Sequence, residues 1–228
     1  MGSVDKCVLL YSGGLDSFVL RQIAKFDTIV YFDIGTEDGK REIERLDSEV
    51  EIISLPLQRF ELPNKIIPFR NYLFVLLAAN FGNRIFIATT LGDTTRDKDY
   101  VFQGLSSSIL NYFGGVEAKM PYKAEHFEVV MPFKDRTKAE IIRDYRKVLE
   151  PMNILQESRS CYAGEEKECG VCRSCLRKYV AFANNDLAYL LDFQPPSQAA
   201  LVNLYEESVK KGRHERELQE IVNCYSKR

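Results

Sequence analysis

Short apolar segments alternate with helical segments along most of the chain, and this order constrains the fold more than any other feature. Five apolar segments have the length and composition of buried strands: residues 6–11, 28–32, 50–57, 84–90 and 127–131. Enough residues separate them for right-handed crossovers, so the strands are expected to run parallel. The sequence therefore predicts an α/β fold with a doubly wound, five-stranded parallel sheet.

Helical patterns occupy the segments between and after the predicted strands. The predicted helices cover residues 15–26, 37–49, 70–83, 104–113 and 137–149. Thr137 and Glu140 have the spacing of a capping box, and Gly82 is predicted to cap the apolar helix that begins at Arg70. The mixed-charge tail, residues 204–228, is predicted to be a solvated helix, with a dimer contact as the alternative.

A glycine-containing loop follows the first predicted strand. The sequence SGGLDS spans residues 12–17, and its two glycines allow the backbone to reach positive φ and to lie against a ligand. Free amides there, together with the N-terminus of the next helix, form an anion site. Ser12 and Ser17 can donate hydrogen bonds to phosphate oxygens. Asp16 is suited to bind Mg²⁺, directly or through water, or to orient the loop.

An ordinary strand-to-helix turn, capped by a serine or an aspartate, is the alternative interpretation of this loop. The full hexapeptide after a buried strand favours nucleotide binding instead. The loop is not a Walker A motif, because the chain contains no GxxxxGK[ST] sequence. The candidate nucleotide-binding residues are Tyr11, Ser12, Gly13, Gly14, Leu15, Asp16 and Ser17.

Four of the six cysteines lie close together in the sequence: Cys161, Cys169, Cys172 and Cys175. Two CxxC units share Cys172, so three sulfurs can converge and Cys161 can complete the tetrahedral shell of a structural zinc. An iron–sulfur cluster is the competing metal, and four incidental thiols are the alternative without a metal. A shell of four protein ligands leaves no open position, so the predicted role of the zinc is structural.

The charge balance limits the partners of the chain. Lys and Arg together number 31 and Asp and Glu number 33, which gives a formal net charge of −2. This balance offers no general attraction to nucleic acid or to an anionic membrane. The N-terminus lacks a signal-peptide pattern, and no apolar run approaches the roughly 20 residues that span a bilayer. The sequence predicts a cytoplasmic protein without a membrane partner and argues against a nucleic-acid partner.

The ordered motifs resemble one family. SGGLDS is similar to the signature of the PP-loop ATP pyrophosphatases, and together with residues 160–178 it resembles the 7-cyano-7-deazaguanine (preQ0) synthases of queuosine biosynthesis. Residues 67–82 are similar to the Pro-x-Arg-Asn-x-x-Phe helix of these synthases, and residues 132–142 to their segment before the cysteines. The resemblance covers nearly the whole chain to about Leu187.

The resemblance implies an adenine-nucleotide α-hydrolase-like fold and an ATP-dependent ligase. In such an enzyme the loop holds the β- and γ-phosphates as the leaving pyrophosphate, and the carboxylate of 7-carboxy-7-deazaguanine is adenylated. Ammonia then gives the amide, and a second activation dehydrates the amide to the nitrile preQ0. The resemblance implies the cofactors ATP, Mg²⁺ and structural Zn²⁺, the partners deazapurine and ammonia, and a homodimer.

Several polar side chains are candidates for catalysis and for substrate binding. The predicted catalytic residues are Asp16, Arg70 and Lys138, and the predicted substrate-binding residues are Arg70, Asn71, Asp93 and Arg177. Arg70 and Lys138 each place a cation in the first turn of a helix, where it opposes the macrodipole unless it faces an anion. A solvated or core-capping arginine and a solvent-facing lysine are the respective alternatives.

Two segments depart from the synthase pattern. Residues 89–105 include Asp93, Asp97 and Asp99 but lack the Gly-Tyr-Pro-Asp-Cys-Arg-like run of the synthases, and residues 33–46 lack the usual Tyr-Gly-Gln. These departures are compatible with a compact or phage-like synthase, or with a relative that stops at the amide or joins a deazaguanine to another amine. A tRNA sulfurtransferase and a non-catalytic zinc module are the competing interpretations of the motifs. The predicted domains are residues 1–155, which bind ATP, and residues 156–228, which form the zinc loop and the C-terminal helices packed on the first domain.

Overall fold

The structure is a computed structural model and describes residues 5–114, 126–148, 150–159, 161 and 167–226. The backbone groups into two compact units. The first unit comprises Met1–Ser12, Ala24–Ala88 and Thr95–Pro132, and the second comprises Gly13–Ile23, Thr89–Thr94 and Phe133–Arg228. The division passes through the SGGLDS segment, between Ser12 and Gly13.

The first unit contains a parallel sheet of five strands. These strands are β1 (Cys7–Leu10), β2 (Thr28–Asp33), β3 (Val50–Ser54), β4 (Arg84–Ile87) and β5 (Glu128–Val130). Their order in the sheet is β3-β2-β1-β4-β5, and all four neighbouring pairs are parallel. The order reverses its direction at β1, as it does in doubly wound sheets. The structure confirms the predicted α/β fold with five parallel strands.

β1 is the central strand because it has a hydrogen-bonded neighbour on each side. Val8 is in register with Thr28 of β2 and with Ile85 of β4. Val8 and Leu9 are fully buried, which explains why this segment is apolar without alternation. In open α/β sheets ligands bind beyond the carboxyl ends of the strands, and β1 leads at that end directly into SGGLDS.

The described part of the first unit contains three α-helices: α2 (Glu37–Ile43), α3 (Arg70–Ala78) and α4 (Tyr100–Gly114). α3 packs on β1 and on α4, and it contributes Val75 and Ala78 to a core with Val8 and Ile85. α4 begins four residues earlier than predicted. The Asp99 carboxylate accepts a hydrogen bond from the Phe102 amide at 2.7 Å and so caps the start of this helix.

The prediction that Gly82 caps α3 is wrong. The helix ends at Ala78, and Gly82 does not have the positive φ of a glycine cap. A Cβ at Gly82 would lie 2.5 Å from the Lys6 carbonyl oxygen and 2.7 Å from Cγ2 of Val8. Glycine is needed there because the chain passes close to the residues that begin β1.

Among the described residues of the second unit there are five α-helices: α1 (Leu15–Ile23), α5 (Lys138–Val148), α6 (Arg173–Ala183), α7 (Gln198–Lys210) and α8 (Glu215–Ser226). The prediction of a solvated tail is wrong, because its residues Leu204, Ile221 and Cys224 are buried in a core with α6. Paired helices can each bury one apolar stripe. Among the described helices, none is both long and apolar enough to cross a membrane.

The start of α5 has the predicted capping box. The Thr137 amide donates to the Glu140 carboxylate at 2.9 Å, and the Glu140 amide donates to the Thr137 hydroxyl at 3.1 Å. Ile142 and Tyr145 are buried as the apolar face predicts, but Val148 is 67% exposed. The predicted end at Leu149 lies outside the described residues.

Two glycines of the first unit test the interpretation of Gly82. We expect Gly82→Ala to lower the free energy of unfolding by about 1–3 kcal/mol, because the new methyl group would push against the backbone before β1. Gly104→Ala is the matched control, since Gly104 lies inside α4 with open space around it. This control should raise the free energy of unfolding by about 0.5–1 kcal/mol. Equilibrium urea denaturation measures both, and equal shifts would contradict the close-approach explanation.

Candidate functional site

The SGGLDS segment forms a turn that leaves the start of α1 open. Gly13 has a φ of +68°, and a Cβ placed on it would meet no atom within 4 Å. The Gly14 carbonyl accepts hydrogen bonds from the Phe18 amide at 2.9 Å and from the Ser17 hydroxyl at 3.1 Å. Such a backbone can approach an anion closely, and the helix N-terminus favours negative charge.

The remaining candidates in this segment differ in exposure. Ser12 is exposed, whereas Leu15 is only 1% exposed, so Leu15 can offer a ligand no more than its backbone. Tyr11 is buried, and its amide donates to the Val30 carbonyl at 2.9 Å. Tyr11 thus continues the pairing of β1 with β2 by one residue.

The structure brings together Asp16 and Lys138, which were both predicted to be catalytic. α1 and α5 pack against each other, and the Lys138 ammonium donates a hydrogen bond to Oδ2 of the Asp16 carboxylate. Both side chains are largely buried, and Oδ1 of Asp16 is buried without a hydrogen-bond partner among the described residues. A carboxylate oxygen left in this state suits a bound cation, and the open turn beside it suits a polyphosphate.

The environment of Lys138 disfavours its charged form. Burial is the largest influence and lowers the pKa of Lys138. The carboxylates of Asp16 and Asp93 raise this pKa, but less, and the charge of Arg177 adds to the lowering. An anion placed next to the ammonium would therefore stabilise its charge.

A second ion pair extends this group of charges towards α8. Glu217 accepts hydrogen bonds from Nε and Nη2 of Arg177 at 3.1 and 2.9 Å, and from Nη1 of Arg213 at 2.8 and 2.9 Å. Arg177 also lies near Asp93, with Nη1 and Oδ1 3.7 Å apart. Burial tends to lower the pKa of Arg177, but the carboxylates of Glu217, Asp93 and Asp16 outweigh it and raise that pKa.

The loop that carries Asp93 packs against the Arg177–Glu217 ion pair. The Thr90 amide donates to the Asp93 carboxylate at 3.0 Å, and the Lys134 ammonium donates to the Asp93 carbonyl at 3.1 Å. A Cβ at Gly92 would overlap the Glu217 carboxylate. Of the predicted substrate residues, Asp93 and Arg177 are thus brought together with each other.

Arg70 and Asn71 lie in the first unit, at the start of α3. The Arg70 guanidinium carbon lies 5.9 Å from the centre of the Phe74 ring, and the Asn71 amide donates to the Asp97 carboxylate at 2.8 Å. Phe69, the residue before them, is 82% exposed and has a φ of 61°. Such a backbone is strained for an aromatic residue, and strain of this kind is common near binding sites.

The four predicted metal ligands converge in the second unit. The sulfurs of Cys161, Cys169, Cys172 and Cys175 all lie within 4.8 Å of one another. The Cys175 sulfur is 3.5 Å from that of Cys172 and 3.9 Å from that of Cys169. A tetrahedral shell with Zn–S bonds of about 2.3 Å has edges of about 3.8 Å, so the cluster could hold a metal such as zinc.

Backbone amides support the sulfur cluster. The Cys169 amide donates to the Cys161 sulfur and the Cys172 amide to the Cys169 sulfur, each at 3.3 Å. Gly170 has a φ of +69°, which lets the loop turn between these ligands. Amide donors favour the thiolate that a metal requires.

The sequence interpretation missed Glu217 and also Gly92, which leaves room for the Glu217 carboxylate. Glu217, Ile221 and Cys224 lie at helical spacing and are all buried, so a glutamate on the apolar face of α8 is the signal that could have revealed the ion pair. Gly92 has no comparable signal, because its role depends on a helix that follows more than a hundred residues later.

Comparisons with known proteins identify relatives. The family model described as "Queuosine biosynthesis protein QueC" matches residues 45–186. A 7-cyano-7-deazaguanine synthase of Methanosphaerula palustris is 29% identical over 80% of this chain and 96% of the relative. Proteins of the same name from Chlorobaculum parvum and Methanosphaera stadtmanae are each 26% identical over 83% of this chain, and over 96% and 98% of their own lengths.

The role of Glu217 can be tested through stability. We expect Glu217→Gln to lower the free energy of unfolding by about 3 kcal/mol, since it leaves Arg177 and Arg213 buried without their carboxylate. Glu215→Gln, an exposed position on the same helix, should change it by less than about 0.5 kcal/mol. Urea denaturation measures the difference, and equal effects of the two variants would contradict the proposed ion pair.

Glu220 should make stability depend on pH. Burial raises the pKa of Glu220 from 4.5 to about 7, and the nearby carboxylates of Glu140 and Glu217 add to this shift. The Thr137 hydroxyl, which donates a hydrogen bond to the Glu220 carboxylate, and the charge of Arg143 oppose it. The folded state therefore holds the proton more tightly, and stability should fall as pH rises from about 4.5 to about 7 and then level off.

The measurement is the free energy of unfolding of the wild type and of Glu220→Gln between pH 5 and pH 8. The wild type should lose up to about 3 kcal/mol relative to the variant over this range, less where solvent screens the carboxyl. Glu206→Gln, an exposed position on α7, is the control and should follow the wild type. Parallel curves for the wild type and Glu220→Gln would refute the assignment.

Proposed function

The chain belongs to the QueC family of queuosine biosynthesis proteins, and on this basis we propose that it is a 7-cyano-7-deazaguanine synthase, as its relatives are named. Its substrates are 7-carboxy-7-deazaguanine, ammonia and ATP, and its product is the nitrile preQ0. The observation that carries this proposal is the pairing of Lys138 with Asp16 beside the open turn at Gly13. These groups supply the charges and amides that a polyphosphate needs.

The proposed reaction uses two activations. A carboxylate oxygen of the substrate attacks the α-phosphorus of ATP and pyrophosphate leaves, so that AMP becomes the leaving group on the acyl carbon. Ammonia adds to that carbon, loses a proton and expels AMP, which gives the amide. In the second activation the amide oxygen is adenylated and leaves as AMP while the nitrogen loses its protons, which gives the nitrile.

The phosphates of ATP would be held by the SGGLDS turn. The amides at Gly13 and Gly14 and the N-terminus of α1 can bind the β- and γ-phosphates, and Ser12 is exposed for a further hydrogen bond. The free Oδ1 of Asp16 would hold Mg²⁺. When bound, the ion would neutralise charge on the transferred and leaving phosphate oxygens.

Lys138 would act on the same phosphates. Its ammonium is held by Asp16 at the start of α1, so that its position does not depend on the ligand. A phosphate next to it would oppose the lowering of its pKa by burial. Charge that is already fixed in place stabilises a transition state without reorganisation.

The four-cysteine cluster would hold structural Zn²⁺, since it offers a complete shell of protein ligands. Substrate binding by Arg70, Asn71, Asp93 and Arg177 remains a prediction. We further propose that the enzyme is a cytoplasmic homodimer, with residues 1–155 as its ATP-binding domain and residues 156–228 as the part that carries the metal.

The test is to identify the product made from 7-carboxy-7-deazaguanine, ATP, Mg²⁺ and ammonium by mass spectrometry. The nitrile should form, and AMP and pyrophosphate should appear only when the deazapurine is present. Lys138→Met should slow the reaction by about 100-fold. Lys147→Met, an exposed lysine on the same helix, should leave the rate unchanged.

Other products would point to the alternative functions. An amide or a conjugate would indicate a synthase-like relative with a different end point, as the altered segment 89–105 allows. AMP formation that depends on tRNA would indicate a sulfurtransferase. A protein that binds no ATP would be a non-catalytic zinc module, and the proposed function would be wrong.

A further inference from the structure

A buried lysine lies next to the metal loop. The side chain of Lys178, on α6, is 2% exposed, and so is that of Glu168, which accepts a hydrogen bond from its ammonium at 2.6 Å. The ammonium also lies 5.7 Å from the centre of the Phe182 ring. A lysine is rarely buried to this extent without a partner, so the position depends on the carboxylate.

The Lys178–Glu168 pair joins the two sides of the cysteine cluster. Glu168 comes directly before the ligand Cys169, and Lys178 comes three residues after the ligand Cys175, in the same helix. The carboxylate therefore stays in place only while the neighbouring residue, Cys169, is held close to α6. A bound metal would hold Cys169 there by joining its sulfur to those of Cys172 and Cys175.

A second hydrogen bond connects Lys178 to the phosphate-binding turn. Its ammonium donates to the Ser158 carbonyl at 2.7 Å, and Ser158 is fully buried. The next residue, Arg159, donates its amide to the Gly13 carbonyl at 2.9 Å. All these residues belong to the second unit, so a continuous path runs from Cys169 through Lys178 and Ser158 to Gly13.

We propose that Lys178 is a positioning residue that couples metal binding at the cysteines to nucleotide binding at the SGGLDS turn. This inference rests on the proposed function, since it assumes that the turn binds ATP. Without the metal, Cys169 is no longer tied to the other sulfurs and Glu168 withdraws from Lys178. The buried ammonium is then unpaired, which is strongly unfavourable, and its movement releases the Ser158 carbonyl and disturbs the turn at Gly13.

Coupling between two binding sites is reciprocal, and this supplies the test. If zinc strengthens nucleotide binding by some factor, then the nucleotide strengthens zinc binding by the same factor. Zinc affinity is measured on the zinc-loaded protein by competition with a chelator, with and without a saturating non-hydrolysable ATP analogue. In the wild type the analogue should lower the Kd for zinc by about tenfold.

The variant with both Lys178→Met and Glu168→Gln removes the pair without leaving a buried charge, which proteins often tolerate. We expect it to bind zinc and the analogue, with the coupling reduced to less than about twofold. The control removes an exposed pair of the same kind on α5, with Lys147→Met and Asp144→Asn. Its coupling should equal that of the wild type.

Two results would overturn the inference. One is a wild type that binds the analogue while its zinc affinity does not change, and this result leaves the proposed function intact. The other is full coupling in the variant without the pair. If the wild type binds no analogue at any zinc concentration, both the coupling and the proposed function are wrong. The wild-type measurement decides whether the two sites are coupled even if the double variant does not fold.

Discussion

Buried positive charge needs a carboxylate close by, and the second unit is organised around this need. Among the described residues, three largely buried pairs illustrate it: Lys138 with Asp16, Arg177 with Glu217, and Lys178 with Glu168. The first two pairs join segments that are far apart in the sequence. The third joins the residues on either side of Cys169, Cys172 and Cys175. Removing one partner from such a pair costs far more than the pair contributes. Arrangements that separate α1 from α5, or α6 from α8, are therefore disfavoured.

Much of the fold could be predicted because its signals are local. An apolar run identifies a strand, Thr137 and Glu140 identify a helix start, and closely spaced cysteines indicate a cluster that could hold a metal. The candidate site was predictable only in part. The residues of the turn and the lysine at position 138 could be named, but not that Asp16 would pair with Lys138, since no local pattern shows which charges meet across 122 residues.

The wrong predictions share a physical cause. Gly82 was interpreted as a cap because glycine commonly ends helices, but here it admits the backbone near Lys6. The tail was interpreted as solvated because it is highly charged, yet one of its glutamates, Glu217, is buried between two arginines. In both cases a residue that commonly has a local role, such as ending a helix or facing solvent, instead makes or permits a contact with a distant part of the chain.

The position of Glu217 on α8 has a consequence for biogenesis. Chains generally fold from the N-terminus as they leave the ribosome, and the turn, Lys138 and Arg177 all emerge before this glutamate. Until it arrives, the nascent second unit carries an excess of cationic side chains around Asp93. The charges of this cluster are therefore balanced only after α8 has been synthesised.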